Sequence, residues 1–153
     1  MTDKPFVKLV YTPAGSRDAV LAIAACRAGG VGVLNAELTA DPVSLFDQLE
    51  LLSQKAGSKY GLRLATLDEN WLPQLLDFVA RGLHWLILDA ECLPSCGAVV
   101  ARLRQEGATV LAEIRHLSCP GVVLDETTVD GLVLKGNESG GFVGESSSFV
   151  MLQ

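Results

Sequence analysis

Strand-like and helix-like segments alternate along this chain, and that alternation limits the fold more than any other feature. Apolar, β-rich runs stand at Phe6–Tyr11, Gly32–Asn35, Tyr60–Leu64, Trp85–Asp89, Thr109–Ile114 and Val129–Leu134. Their spacing of roughly 25 residues leaves room for a helical crossover between consecutive strands, which is what parallel pairing requires. A β-sandwich or a helical bundle does not produce this pattern. The period alone fits two architectures: an open sheet with helices on both faces, or six units of an eight-unit barrel.

The intervening segments carry helix punctuation. Ser16 is placed to cap a helix over Arg17–Ala28, which Gly29 and Gly30 stop. Asp41 caps the next, with Pro42 in its first position and Leu45, Phe46, Leu49 and Leu52 on one face. Asn70 is the expected cap of the third, with Pro73 in its first turn, Leu72, Leu75, Leu76 and Val79 inward and Gly82 after it. Val99, Val100 and Leu103 mark the fourth, closed by Gly107. The joints RAGGVGVLNA, ARGLHWLILDA and RQEGATVLAEI each run from a charged helix end through Gly into a strand, a weak internal repeat. The fifth unit, HLSCPGVVLDETT, has few helix formers, so its helix is expected to be short or absent. No linker divides the chain, so residues 1–153 are expected to form a single β/α domain.

Composition narrows the partners. The chain is 49% hydrophobic and 20% charged, with a net charge of −6. Acidity without a basic cluster argues against nucleic acid and against anionic membranes. A mean hydropathy of +0.33 suggests strands buried on both faces, or a surface covered by another chain or domain. No apolar run reaches the ~20 residues of a membrane span. The N-terminus lacks the pattern of a secretion signal, so the four cysteines are expected to be reduced thiols in the cytoplasm.

The chemistry concentrates after the sixth strand, in KGNESGGFVGESSSFVMLQ, Lys135 to Gln153. Glycines at a strand's C-terminal end let backbone approach a flat or anionic ligand. Gly136, Ser139, Gly140 and Gly141 are therefore the candidate binding residues. Glu138 is expected to hold the loop by accepting backbone N–H bonds. Asp89 and Glu37 stand where acids commonly cap the next helix. Arg63, inside the third strand, could meet a ligand or pair with Glu113, and the charge pair is the expected role. His84 starts a strand at the opposite end and reads as structural. Cys92, Cys96, His116 and Cys119 would share one rim, but they lack tight zinc-knuckle spacing and read as unrelated side chains, so no metal site is expected.

The stretch VDGLVLKGNESGGFVGE resembles the nitronate monooxygenase and flavin-dependent enoyl reductase family, most of all the members built into polyketide and polyunsaturated fatty acid synthases. The matching pattern is Gly136, Glu138, Ser139, Gly140, Gly141 and Gly144, and AIAACRAGGVGVLNAE is similar to the family's early helix–Gly-Gly–strand segment. The resemblance implies a TIM barrel binding FMN at the C-terminal ends of its strands. It chooses the second architecture: a partial TIM-barrel-like domain, six parallel βα units of an expected eight. Backbone of Gly136, Ser139, Gly140 and Gly141 would then contact the flavin, and Lys135 would face its electron-rich edge or an anionic substrate. Phe142 stands where nitronate monooxygenases carry a His, and a hydrocarbon ring moves no proton. His116, after the fifth strand, is the expected replacement, so His116 and Lys135 are the candidate catalytic residues. The implied function is an FMN-dependent oxidoreductase fragment acting on an enoyl thioester or a nitronate. The alternative is a catalytically inactive barrel-derived scaffold or docking domain of a megasynthase. Two further strands, with the loops that grip the FMN phosphate, are expected after Gln153. The remainder of the barrel, a partner chain or a second copy is expected to cover the open sheet edges.

Overall fold

The computed structural model describes residues 6–16, 18–39, 41–116 and 124–153. Six strands, β1 (Leu9–Tyr11), β2 (Val31–Asn35), β3 (Tyr60–Leu64), β4 (Leu83–Asp89), β5 (Thr109–Ile114) and β6 (Gly131–Leu134), form one parallel sheet in sequence order. The helices are α1 (Val20–Arg27), α2 (Pro42–Lys55), α3 (Leu72–Ala80), α4 (Leu93–Gln105) and the short α5 (Ser148–Met151). Sequential order in an all-parallel sheet is the barrel arrangement, because a doubly wound sheet reverses direction at a switch point. The sheet curls into a half-barrel.

The core lies between the convex face of the sheet and the helices. Leu34, Leu62, Leu64, Leu86, Leu88, Val110 and Ala112 pack there against Leu45, Leu49, Leu52, Leu75, Phe78, Val99, Val100 and Leu103. The alternate residues of each strand face the concave side, because side chains along a strand alternate between its two faces. Register aligns Asn35 with Arg63, Arg63 with Ile87, and Asp89 with Glu113. The concave side therefore carries its polar groups at the C-terminal end, where the strands meet their following loops.

Two glycines mark close approaches, one between helix and sheet and one between side chains within the sheet. Gly32 in β2 lies against the backbone of Ala22 in α1, so closely that any Cβ would run into the Ala22 carbonyl. Gly61 in β3 sits between Val33 and Trp85; a Cβ there would be 3.0 Å from the Val33 Cγ2 atom.

Several expected boundaries differ. The first helix begins at Val20, not Arg17, and neither Ser16 nor its N-cap residue Ala19 supplies a side-chain cap; Asp18 accepts from the Val20 N–H at 3.1 Å. Asp68, not Asn70, caps the third helical segment, accepting from Asn70 N–H at 2.9 Å and opening a 3₁₀ turn over Glu69–Trp71 that leads into α3. An acid with extended backbone can accept that bond, whereas Asn70 is already inside the turn. Phe6 and Val7 precede β1 and Val129 precedes β6. The Asp41 cap with Pro42 stands as expected, with bonds from Val43 and Ser44 N–H. Most of the irregular fifth crossover, 117–123 with Cys119, lies outside the described residues, as does Arg17. No described helix is long and apolar enough to cross a membrane.

Gly32→Ala tests the helix–sheet contact. The added methyl meets backbone rather than a flexible side chain, so α1 must shift off β2. The expected loss is about 1–3 kcal/mol, read as a lower midpoint in urea unfolding with an unchanged slope.

Candidate functional site

Four ionised side chains meet on the concave side at the C-terminal ends of the strands. Arg63, in the middle strands, donates through Nη2 to Glu113 Oε1 at 2.5 Å and lies 3.1 Å from Glu37 Oε1. Lys135, directly after β6, donates through Nζ to Glu37 Oε1 at 2.8 Å and Oε2 at 3.0 Å, and lies 3.5 Å from Glu113. All four are buried. Two carboxylates face two cations, so the cluster is neutral, which is the condition for keeping charges out of water.

The contact between Lys135 and Glu37 also measures the curl. These residues follow β6 and β2, which lie four places apart in the sheet. Only a strongly curved sheet brings their side chains together.

The loop after β6 is anchored to the same cluster. Phe142 donates its N–H to Glu37 Oε1 at 2.9 Å. Gly141 has φ +79° and lies so near Glu37 that a Cβ would collide with its carboxylate. Gly136 is similarly pressed against the Glu138 carboxylate and the Ser148 N–H. Glu138 accepts the Ser148 N–H at 3.1 Å and also its hydroxyl, which holds its carboxyl below the usual range and fixes the start of α5. Gly144 approaches the Arg115 carbonyl, and a Cβ there would lie 3.1 Å from His116 Nδ1. These three glycines are required by the packing of the loop on its own protein.

A cavity of about 330 Å³ opens between β1 and β6, lined by Tyr11, Asn35, Glu113, Lys135, Ser139 and Gly140 together with apolar neighbours. It brings three of the expected site residues, Lys135, Ser139 and Gly140, to one wall. Gly136 and Gly141 are not in its lining, and neither is His116, which sits beside Gly144 at the far end of the loop.

Other expectations resolve as follows. The Arg63–Glu113 pair and the structural role of Glu138 are as expected. Asp89 does cap, accepting the Glu91 N–H at 3.1 Å, and also pairs with Arg115 at 2.6 Å. Glu37 caps nothing; its carboxylate is the shared acceptor of the buried cluster. Lys135 is neither solvated nor directed at open space, because both nearby carboxylates hold its ammonium. His84 Nε2 lies 3.4 Å from Thr109 Oγ1 and its ring stands edge-on to Trp85; burial lowers its pKa. The Cys92 and Cys96 sulfurs are 3.9 Å apart. No three metal-ligating side chains cluster among the described residues.

Sequence reasoning missed Tyr11. Its ring is half-buried, while its hydroxyl is fully buried and has no hydrogen-bond partner. Its pKa is pushed up to about 12, chiefly by burial and then by the Glu113 carboxylate, with Arg63 opposing. The signal available was parity: Tyr11 pairs in register with Val33 on the concave face.

The residues fit one part of a flavin mononucleotide and not another. The cavity combines apolar walls from Pro13, Ala14, Val133 and Leu134 with Ser139 and Gly140, a lining compatible with an uncharged ring system. The phosphate is not matched. Among the described residues the cations at this end of the sheet are Arg63, Lys135 and Arg115, and each is ion-paired with carboxylates, with Arg63 Nη1 and Arg115 Nε left buried without a hydrogen-bond partner.

Glu37→Gln should be strongly destabilising, because it leaves Arg63 and Lys135 buried with one carboxylate between them. The expected loss is about 3–5 kcal/mol, and the Phe142 amide should lose its protection in hydrogen exchange. A second expectation concerns alkali. Tyr11 and Tyr60 both have pKa values near 12 against an ordinary value of 10.0. Below pH 10 both folded and unfolded chains keep these protons, so stability is fully present. Above it the unfolded chain ionises first, so stability falls as pH rises from 10 toward 12. Phenolate absorbance in the folded protein should lag behind that in denaturant.

No family model matches the chain, and no curated protein does. Among solved structures, the chain is similar to a point mutant of FabK from Thermotoga maritima, with a TM-score of 0.70 and 20% identity. The match covers 95% of this chain and 48% of that one, so the chain spans about half the length of the structure it resembles. At this identity the likeness establishes a shared fold: the six units are those of a partial TIM barrel.

Proposed function

We propose that this chain is the ring-binding half of a flavin-dependent oxidoreductase barrel, of the enoyl-thioester-reducing or nitronate-oxidising type. The observation that carries the reading is the cavity between β1 and β6, where Lys135, Ser139 and Gly140 from the flavin-family motif meet Tyr11 and Glu113. Two supports stand beside it: the Gly-x-Glu-Ser-Gly-Gly pattern after β6, and the FabK-like fold over nearly the whole chain. A flavin held there would supply two-electron transfer. This chain's own contribution is a rigid, neutral floor. Glu37 and Glu113 hold Lys135 in place, Glu37 fixes the loop at Phe142, and the loop brings Ser139 and Gly140 over the cavity.

In this reading the phosphate is gripped by units beyond these six, in the same polypeptide or a partner. Exposed apolar side chains on β6 and after it, Leu132, Phe149 and Leu152, suit coverage by such a segment. The acyl thioester, the link to polyketide or fatty acid synthesis and the cytoplasmic setting belong to this proposal.

A scaffold role is the second reading, favoured by a specific observation. The Phe142 N–H and the Lys135 ammonium both terminate on Glu37, so the loop is satisfied without any ligand.

Riboflavin and FMN separate the two. On this chain alone the flavin reading expects both to bind with equal affinity within about twofold, because each described rim cation is already ion-paired with a carboxylate. Fluorescence quenching of each flavin measures this. Absence of binding by both would favour the scaffold, and FMN binding more than about tenfold tighter would show that the assignment of the phosphate to other units is wrong.

A further inference from the structure

We propose that the side-chain amide of Asn35 is the hydrogen-bond donor that the β1–β6 cavity presents to a carbonyl oxygen of its ligand. This deepens the ring-site reading and rests on it only for the flavin as one of two ligand sources. Asn35 is 8% exposed, and its orientation is fixed. Its backbone N–H donates to Thr12 Oγ1 at 2.9 Å, and its Oδ1 accepts the Glu37 N–H at 3.1 Å. An N–H donor selects the oxygen of a carboxamide, so Nδ2 stands on the other side with two protons to give. No described group accepts them. The described side-chain atoms that are buried without a partner are Tyr11 Oη, Arg63 Nη1 and Arg115 Nε. Asn35 Nδ2 is not one of them, so it reaches open space.

Strand parity identifies that space. Leu34, Asn35 and Ala36 all border a separate cavity on the helix side, near the start of α2, but Asn35 is the one residue of this run that also lines the β1–β6 cavity. Side chains alternate along a strand, so what Asn35 shows to the β1–β6 cavity is its side chain, on the concave face with its register partner Arg63. The neighbouring donors are less available. Tyr11 Oη and Arg63 Nη1 are closed off by protein atoms, and the Lys135 ammonium is held by Glu37 and Glu113. The Ser139 hydroxyl has no partner among the described residues, but it stands on an exposed loop. Asn35 is therefore the donor already fixed in place, and a fixed donor loses little freedom when a ligand binds. The shared chemistry is a carbonyl oxygen on a largely apolar framework. It has two sources: the dioxo end of a flavin ring, or the carbonyl of an acyl thioester.

The chain has three asparagines, Asn35, Asn70 and Asn137, so nitrogen-isotope labelling of asparagine side chains gives three amide signals. Asn70→Ser and Asn137→Ser remove the two exposed ones and assign the third without altering Asn35. Lumiflavin represents the first source and S-ethyl thiocrotonate the second; ethyl crotyl sulfide, which lacks the carbonyl, is the control. The expected result is a shift of the Asn35 side-chain signal, not those of Asn70 and Asn137, with lumiflavin or the thioester and none with the sulfide. Asn35→Asp keeps an acceptor for the Glu37 N–H and removes the donor, so it should bind the responding probe about tenfold more weakly. If that variant does not fold, the titrations of the parent still decide. The proposal is overturned if neither carbonyl probe moves the Asn35 signal, if the sulfide moves it as far as the thioester, or if folded Asn35→Asp binds the responding probe unchanged. A response to the thioester with no binding of lumiflavin would sink the flavin reading and leave Asn35 standing. Lumiflavin binding that leaves the Asn35 signal unmoved, with no response to the thioester, would do the reverse.

Discussion

The carboxylate of Glu37 holds the functional end of this half-barrel together. It accepts from Lys135 after β6, from the Phe142 N–H in the loop beyond, and lies 3.1 Å from the Arg63 guanidinium of β3. Two of these partners are about a hundred residues away in sequence, so one side chain joins the early and late parts of the sheet. Such an ion cluster is tolerated only because it is neutral and because Glu37 and Glu113 divide the two cations between them. Replacing the whole cluster by apolar side chains would be a different matter from breaking it. What the cluster supplies is position: it sets where Lys135 and the loop backbone stand.

That arrangement divides the glycines of the motif into two kinds. Gly141 and Gly136 are small because carboxylates of their own chain occupy the space of a Cβ, and Gly144 because a carbonyl does. Gly140 has open space where a side chain would stand and lines the cavity with Ser139. A glycine-rich sequence thus encodes both a self-packed anchor and a short open wall. The same cluster pairs Lys135 and Arg63 with carboxylates, so the anchoring of the loop and the charge balance beside the cavity are one arrangement.

The legible part of the fold was the part governed by periodicity. β3 and β5 lie at their expected limits, because each is a short run with apolar residues at alternate positions, Tyr60, Leu62 and Leu64 in β3 and Val110 and Ala112 in β5. The Arg63–Glu113 pair was readable because opposite charges inside apolar strands on the same face have few other partners. Helix starts were less legible. Ser16 and Asn70 are good capping residues, but Asp18 and Asp68 stand two residues along or before, and only backbone conformation decides which side chain reaches an N–H. Glu37 escaped for a related reason. An acid just past a strand caps a helix in most β/α units, and nothing local reveals a lysine ninety-eight positions later in sequence. Tyr11 was hidden because an aromatic residue in a first strand is ordinarily core; its significance lies in an unpartnered hydroxyl, which is a property of three-dimensional surroundings.

The site's dependence on curvature follows from these placements. The cavity is bounded by β1 on one side and β6 on the other, the first and last strands of a sheet that does not close on itself among the described residues. Its width is therefore the gap between two sheet ends. In a closed barrel, strand pairing would set that gap through shear and strand number. Here the direct bridge from the β6 side to the β2 side is the Lys135–Glu37 pair, reinforced by Lys135–Glu113. A lysine whose ammonium is fully committed to this bridge acts first on the shape of the site. The pair therefore bears on the separation of the β1 and β6 sides of the cavity, which carry Tyr11 and Val133.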